Sequence, residues 1–183
     1  MTSAVLADNA LADRVALVTG GGTNLGKAAA TELARCGADV VIVGRREEVL
    51  AAAAAEIGSR CSLVAGDIRS REGADAIVRT CLERHGRLDF VLNNAGGQYF
   101  VPAEAITHKG WLAVQRLNVG GTRRMCQLVH EAAMRTAGGA TIANVTVSPN
   151  GLLSPVSQNM SFGRMRASAR AVRSAGFLGS RKT

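Results

Sequence analysis

The stretch VTGGGTNLGKA (residues 18–28) sets Gly20, Gly21, Gly22 and Gly26 where an apolar run gives way to a helical pattern. Residues of this type at a strand-to-helix turn can hold a phosphate. Glycine lets the backbone come close to the anion, and the first N–H groups of the following helix face it with positive potential. In a wound parallel sheet, the first such turn takes the pyrophosphate of a dinucleotide. The plainer alternative is a structural turn, since glycine alone also serves turns. The strand before the loop, the helix after it and the βαβ unit they open favour the ligand. Gly20, Gly21, Gly22 and Gly26 give the loop its backbone freedom, and Thr23, just before the helix, is a further candidate contact.

A second group stands about twenty residues on. The end of the next strand reads GRR (44–46). An acidic residue there would accept bonds from a ribose 2′-hydroxyl and select NAD. Asp39 is acidic, but it lies at the strand's beginning. Arg45 or Arg46 can instead meet a 2′-phosphate, a planar and anionic target suited to guanidinium. NADP is therefore the expected cofactor and NAD the less favoured one. The alternative is two solvated arginines at a helix start.

These residues need a frame. Short apolar runs alternate with Ala- and Leu-rich helical stretches: strands over 14–20, 39–44, 60–67, 88–97 and 140–147, helices over 24–37, 46–58, 70–86 and within 109–139. Leu25, Ala29, Leu33 and Cys36 recur at helical spacing, Gly37 and Gly58 are stops, and Ser70 is the expected N-cap. Trp111, Val114, Leu117, Met125, Leu128 and Val129 are expected on the inner face of one long helix. The β-α alternation predicts an α/β fold, a Rossmann-type doubly wound parallel sheet of about five strands with right-handed crossovers. The strands are apolar almost throughout, as a sheet covered on both faces requires.

The 183 residues suit one domain, and 47% hydrophobic content can fill a core. The net charge of +8 is uneven. Residues 1–150 carry only +2, and the remaining +6 lies in 151–183. A nearly neutral body argues against a nucleic-acid partner, and the basic tail lacks aromatic interleaving. No run approaches a membrane span, and the N-terminus does not read as a signal peptide. Cys36, Cys61, Cys81 and Cys126 have no metal-ligand spacing, so no metal is expected, and reduced thiols point to the cytoplasm.

The stretches TGGGTNLG, GRR, AGDI, NNAGG and LNVGGT, in this order and spacing over about 12–147, resemble the short-chain dehydrogenase/reductase family. TGGGTNLGKA, NNAGGQY and PAEAI are most similar to its branch of 2,4-dienoyl-CoA reductases and citronellol dehydrogenase-like enzymes. The resemblance implies an NAD(P)-dependent oxidoreductase moving hydride to or from a carbonyl, alcohol or enoyl carbon of a small substrate, often as a homo-oligomer. It implies that Gly20, Asn24, Leu25 and Gly26 line the pyrophosphate. Asp67 and Ile68 flank the adenine, and Asn93, Ala95 and Gly96 form the turn beside the cofactor. Asn118 matches an asparagine that helps hold a proton-relay water. The family usually has glycine where Asn24 stands, and asparagine tolerates the left-handed backbone.

The family's proton donor is a Tyr, in this branch also a Ser, four residues before a Lys. The chain has one tyrosine, Tyr99, and three lysines, Lys27, Lys109 and Lys182, and neither Tyr nor Ser precedes any of them by four. Met160 and Arg164 stand roughly at those places, and arginine does not give up its proton. Thr146 and Ser148 are near the position of a substrate-polarising Ser. The catalytic candidates are therefore Asn118 and Ser148. The expected organisation is a flexible lead (1–11), an NAD(P)-binding domain (12–147) and an irregular basic tail (148–183) in place of the catalytic and lid region. In that tail only Met165, Ala169 and Val172 hint at a weak helix. The alternative function is a truncated or frame-shifted, inactive cofactor-binding fragment.

Overall fold

The computed structural model describes residues 7–98, 101–134 and 139–147, and the backbone alone over 160–166. The elements run β1 (Val15–Thr19), α1 (Asn24–Arg35), β2 (Asp39–Gly44), α2 (Glu47–Ile57), β3 (Cys61–Ala65), α3 (Arg71–His85) and β4 (Phe90–Asn93). They continue through a 3-10 turn (Ala103–Ala105), α4 (His108–Gln115), α5 (Thr122–Val129), β5 (Thr141–Val147) and β6 (Met160–Arg166). The sheet order is β3-β2-β1-β4-β5-β6. β1 to β5 are parallel throughout, as the alternation predicts.

Successive strand residues point to opposite faces, and both faces are covered. Val15, Leu17, Val41, Val43, Val91 and Ile142 pack with residues of α3 and α5. Ala16, Val18, Val40, Ile42, Leu92 and Ala143 pack with residues of α1 and α2. This explains why the strands read as unbroken apolar runs. The chain turns from β3 back across the sheet to place β4 beside β1. That reversal opens a crevice at the carboxyl ends of β1 and β4.

Several boundaries follow local chemistry. The Ser70 hydroxyl accepts from the Gly73 N–H at 3.0 Å and starts α3. Gly37 (φ +98°) and Gly58 (φ +108°) adopt left-handed backbone after α1 and α2, a conformation that favours glycine.

The helical faces differ from expectation. In α1 the buried stripe is Gly26, Ala30 and Ala34, while Leu25 is half exposed. The small residues face the sheet because α1 starts close against the exit of β1. The long helix of 109–139 is interrupted by π-helical turns at Arg116–Gly121 and His130–Met134. Their i→i+5 spacing turns the face before them away from the one after. Met125, Leu128 and Val129 are buried, but Trp111 stands 54% exposed.

The lead expected to be flexible is anchored in its second half. The Leu11 N–H donates to the Cys36 carbonyl (2.9 Å), and Asp8 pairs with Arg35 (3.4 Å). Carbonyls at a helix C-terminus need such partners. The basic tail contributes a strand where the sequence offered only a weak helix. Met160–Arg166 is an antiparallel strand, with Val147 opposite Met160 and Thr141 opposite Arg166. The sequence hinted at a helix through Met165. An open β5 edge would leave backbone groups unpaired, and β6 pairs them.

Asp89 locks the end of the sheet opposite the crevice. Its carboxylate takes hydrogen bonds from Arg87, from Arg14 (3.0 Å) and from the Val15 N–H (2.9 Å). Burial pushes this carboxyl up, but those three donors together hold it below the usual carboxylate range. A depressed carboxylate pKa adds stability that is present above the unfolded value and lost as pH falls through the folded one. Asp89→Asn should therefore lower stability by about 2 kcal/mol at pH 7. The gap to the parent protein should close below about pH 4, measurable by urea unfolding at a series of pH values.

Candidate functional site

The crevice is a cleft of about 380 Å³. Its floor comes from the exits of β1, β2, β3 and β4, and its sides from the first turns of α1 and α2 and from Leu117.

The loop after β1 is built on left-handed backbone. Gly20 has φ +66° and Asn24 φ +46°, so asparagine does adopt the conformation that its place in the loop requires. A Cβ at Gly20 would sit 3.0 Å from the Ala95 Cα. The N-cap of α1 is Thr23, whose side chain makes no capping bond, and the first turn carries no acid. In α3 and α4 the hydroxyls of Ser70 and Thr107 do cap. The positive end of α1 thus opens into the cleft without a side-chain acceptor of its own, which fits a phosphate ligand.

Of the residues singled out from sequence, Gly20, Thr23, Asn24, Leu25, Arg45, Arg46, Asp67, Ile68, Ala95 and Gly96 line this cleft. Gly26 does not: it lies beneath the loop, packed against the Gly20 carbonyl and the Asn94 amide. Its role is to let α1 start there. Asn93 is also displaced. It is buried and turned towards β5, where its Nδ2 donates to Asn144 Oδ1 at 2.9 Å. Its neighbour Asn94 takes the place beside the loop. Alternation along β4 decides this, because adjacent side chains point to opposite sides.

Two positions that the sequence did not single out hold the walls together. The buried Thr19 hydroxyl accepts from the N–H groups of Asn94 and Ala95, both at 3.0 Å. Asn94 Nδ2 donates to the Thr19 carbonyl at 3.1 Å and to that of Gly20 at 3.3 Å. The exits of β1 and β4 are thereby fastened edge to edge. The repeated asparagine of NNAGG was the available signal for Asn94. Thr19 had none beyond its place at a strand end.

Asn118 lies in the π-helical turn. It is exposed. Its Oδ1 accepts from the Gly97 N–H (3.0 Å) and its Nδ2 donates to the Gly97 carbonyl (2.9 Å). This paired contact holds the turn after β4 from the outside. Ser148 and Tyr99 lie outside the described residues. Thr146 is exposed near the end of β5.

The charges concentrate at one end. Arg45 and Arg46 are exposed on the cleft, and the guanidinium of neither makes a hydrogen bond or ion pair with a described residue. Asp67 is held below the usual carboxylate range, first by the Arg69 guanidinium, with bonds of 2.8 and 2.9 Å, against the opposing effect of burial, and with Arg45 adding its charge. Asp39 pairs with Arg60 (3.4 Å) at the far end of β2, away from the cleft. Among the described residues no group of His, Cys, Asp and Glu could hold a metal ion. Burial pushes the Cys61 thiol up to about 11 and the Cys81 thiol up to about 12, so neither is a nucleophile at neutral pH.

The match to the short chain dehydrogenase family model covers residues 14–162, from β1 into β6. This chain belongs to the short-chain dehydrogenase/reductase family. It is 32% identical over 142 residues to a zebrafish (Danio rerio) peroxisomal 2,4-dienoyl-CoA reductase, covering 75% of this chain and 47% of that protein. Among solved structures it is similar to a citronellol catabolism dehydrogenase of Pseudomonas aeruginosa, with 34% identity and a TM-score of 0.72 over 76% of this chain and 58% of the other. It is likewise similar to a 3-ketoacyl-(acyl-carrier-protein) reductase of Brucella melitensis solved with NADH, at 32% identity and TM-score 0.63, covering 66% and 50%. The chain spans about half the length of the curated relatives it matches. The family is one of NAD(P)-dependent oxidoreductases, and the glycine loop, the open α1 terminus and the fastened β1 and β4 exits are the parts that suit such a cofactor. Among the described residues no helix is long and apolar enough to cross a membrane.

Proposed function

We propose that this chain binds NADP(H) and belongs to an oxidoreductase acting on a conjugated enoyl or carbonyl carbon of a small acyl-type substrate. The observation that carries the cofactor choice is the pair Arg45 and Arg46, exposed on the cleft at the exit of β2, where NAD selection would ask for an acid. The bound nicotinamide supplies the hydride chemistry. The chain's own residues hold and orient it. The α1 terminus and Gly20 take the pyrophosphate, Arg45 and Arg46 the 2′-phosphate, and Asp67 and Ile68 the adenine side. Thr19, Asn94 and Asn118 keep the β4 turn in place against them. The enoyl preference draws on the dienoyl-CoA reductases among its relatives. Free cysteines, three of them pushed up by burial, suit a reducing compartment, and we assign the chain to the cytoplasm.

A second reading is cofactor binding without hydride transfer. It is favoured by the lack of any Tyr or Ser four residues before a lysine. One assay separates the two. NADPH binding is followed by its fluorescence, and NADPH consumption is then measured with a panel of dienoyl-CoAs, enoyl-CoAs, ketones and aldehydes, beside a Gly20→Asp control. Consumption above the control is the expected result for the first reading. Binding without consumption leaves only the second, and a protein that binds no NADPH sinks both.

A further inference from the structure

Arg124 lies on α5, just past the π-helical turn Arg116–Gly121. Its Nη1 donates to the Ile68 carbonyl at 2.8 Å and to the Gly120 carbonyl at 3.5 Å. It is partly buried and makes no ion pair with a described residue. A guanidinium drawn out of water towards carbonyls alone is costly unless those bonds are kept. The contact is reinforced next door. A Cβ at Gly121 would lie 2.9 Å from the Ile68 side chain, so the helix backbone rests directly on it. Ile68 is 5% exposed and lines the cleft. It is therefore gripped on its side chain by Gly121 and on its carbonyl by Arg124. Six residues before Arg124, Asn118 grips Gly97 on the opposite wall. One irregular helical stretch thus holds the turn after β3 and the turn after β4.

We propose that Arg124 is a positioning residue for the adenosine end of the cleft: its bond to the Ile68 carbonyl sets the Asp67–Ile68 wall against which the adenine lies. This rests on reading the cleft as a dinucleotide site. Arg124 touches no ligand. It acts through Ile68, and the intervening turn lets α5 serve the adenosine side while Asn118 serves the other.

The test compares the full chain with Arg124→Met and Arg124→Lys. Affinity is measured separately for 2′,5′-ADP and for nicotinamide mononucleotide, and amide hydrogen exchange is followed over 66–70 and at Gly97. Arg124→Met should bind 2′,5′-ADP about tenfold more weakly, because binding must then order the loosened 67–68 wall, and nicotinamide mononucleotide within about twofold of the parent. Exchange over 66–70 should quicken and that at Gly97 stay unchanged. Arg124→Lys keeps a donor and should recover to within about threefold. A purely structural role would loosen both turns and weaken both ligands alike, and that result overturns the proposal. So does unchanged 2′,5′-ADP binding in Arg124→Met. A parent chain that binds 2′,5′-ADP and loses none of it on substitution leaves the cofactor reading standing, whereas one that binds neither probe removes both.

Discussion

Gly26→Ala is expected to lower stability by about 3 kcal/mol and to abolish NADPH binding. The added Cβ would fall within the van der Waals shell of the Gly20 carbonyl oxygen and 2.5 Å from Asn94 Nδ2. Neither neighbour can move freely. The Gly20 carbonyl belongs to the backbone of the loop, whose own N–H is bonded to the Val43 carbonyl at 2.7 Å. Asn94 is tied to Thr19 and Gly20 at once. To admit one methyl group, α1 must withdraw from β1, and its open N-terminus withdraws with it. Urea unfolding and a fluorescence titration check the two effects. Gly58→Ala is the matched control. Gly58 has φ +108° but nothing within 4 Å of an added Cβ. It should cost about 2 kcal/mol in backbone strain and leave binding intact. If Gly26→Ala behaves like Gly58→Ala, the close approach of α1 to the loop does not govern the site.

The second large effect concerns cofactor choice. Replacing Arg45 and Arg46 together by alanine should weaken NADPH binding about 100-fold and change NADH binding less than about threefold. Each lost charge-assisted bond to a phosphate is worth about 1.5 kcal/mol, roughly a factor of ten. Both side chains are exposed, so folding stability should stay within about 0.5 kcal/mol of the parent. Paired titrations with the two cofactors give the ratio. The contribution should also shrink as salt rises, because exposed charges are screened. An unchanged NADPH-to-NADH ratio would mean that the arginines are solvated surface residues and that the NADP assignment fails.

The residues whose place on the cleft agrees with the sequence sit where local pattern decides structure. The glycine loop was legible because an apolar run ended in it and a helical repeat began from it. The position of Arg45 and Arg46 was legible because they directly follow β2, and the carboxyl ends of such strands face the crevice. The misplacements share a different cause. Asn93 and Asn94 are the same residue side by side. Only the pleat at the end of β4 decides which one faces Asn144 and which faces Gly20. Trp111 satisfies a 3.6-residue repeat with Met125, but the π-helical turn between them breaks that repeat and leaves the indole exposed. The same turn brings Asn118 onto Gly97. No residue pattern in LNVGGT announces a wide turn, because it depends on how α4 and α5 pack on their neighbours. The pairing of Met160–Arg166 with β5 was illegible for a related reason. Its sequence has no strong period, and strand formation there is driven by an edge that another segment leaves open.

The division has one physical basis. Periodicity, glycine placement and charge are properties of neighbours along the chain, and they are enough to determine a wound parallel sheet, a glycine turn at its first crossover and two arginines at the exit of β2. The rest depends on groups far apart in sequence competing for the same hydrogen bonds. Thr19 accepts from residues 75 and 76 positions away, Asn118 holds Gly97, and Arg124 reaches back 56 positions to Ile68. Only the tertiary structure decides these pairings, because each exists only after β4 and α5 have packed beside β1 and β3.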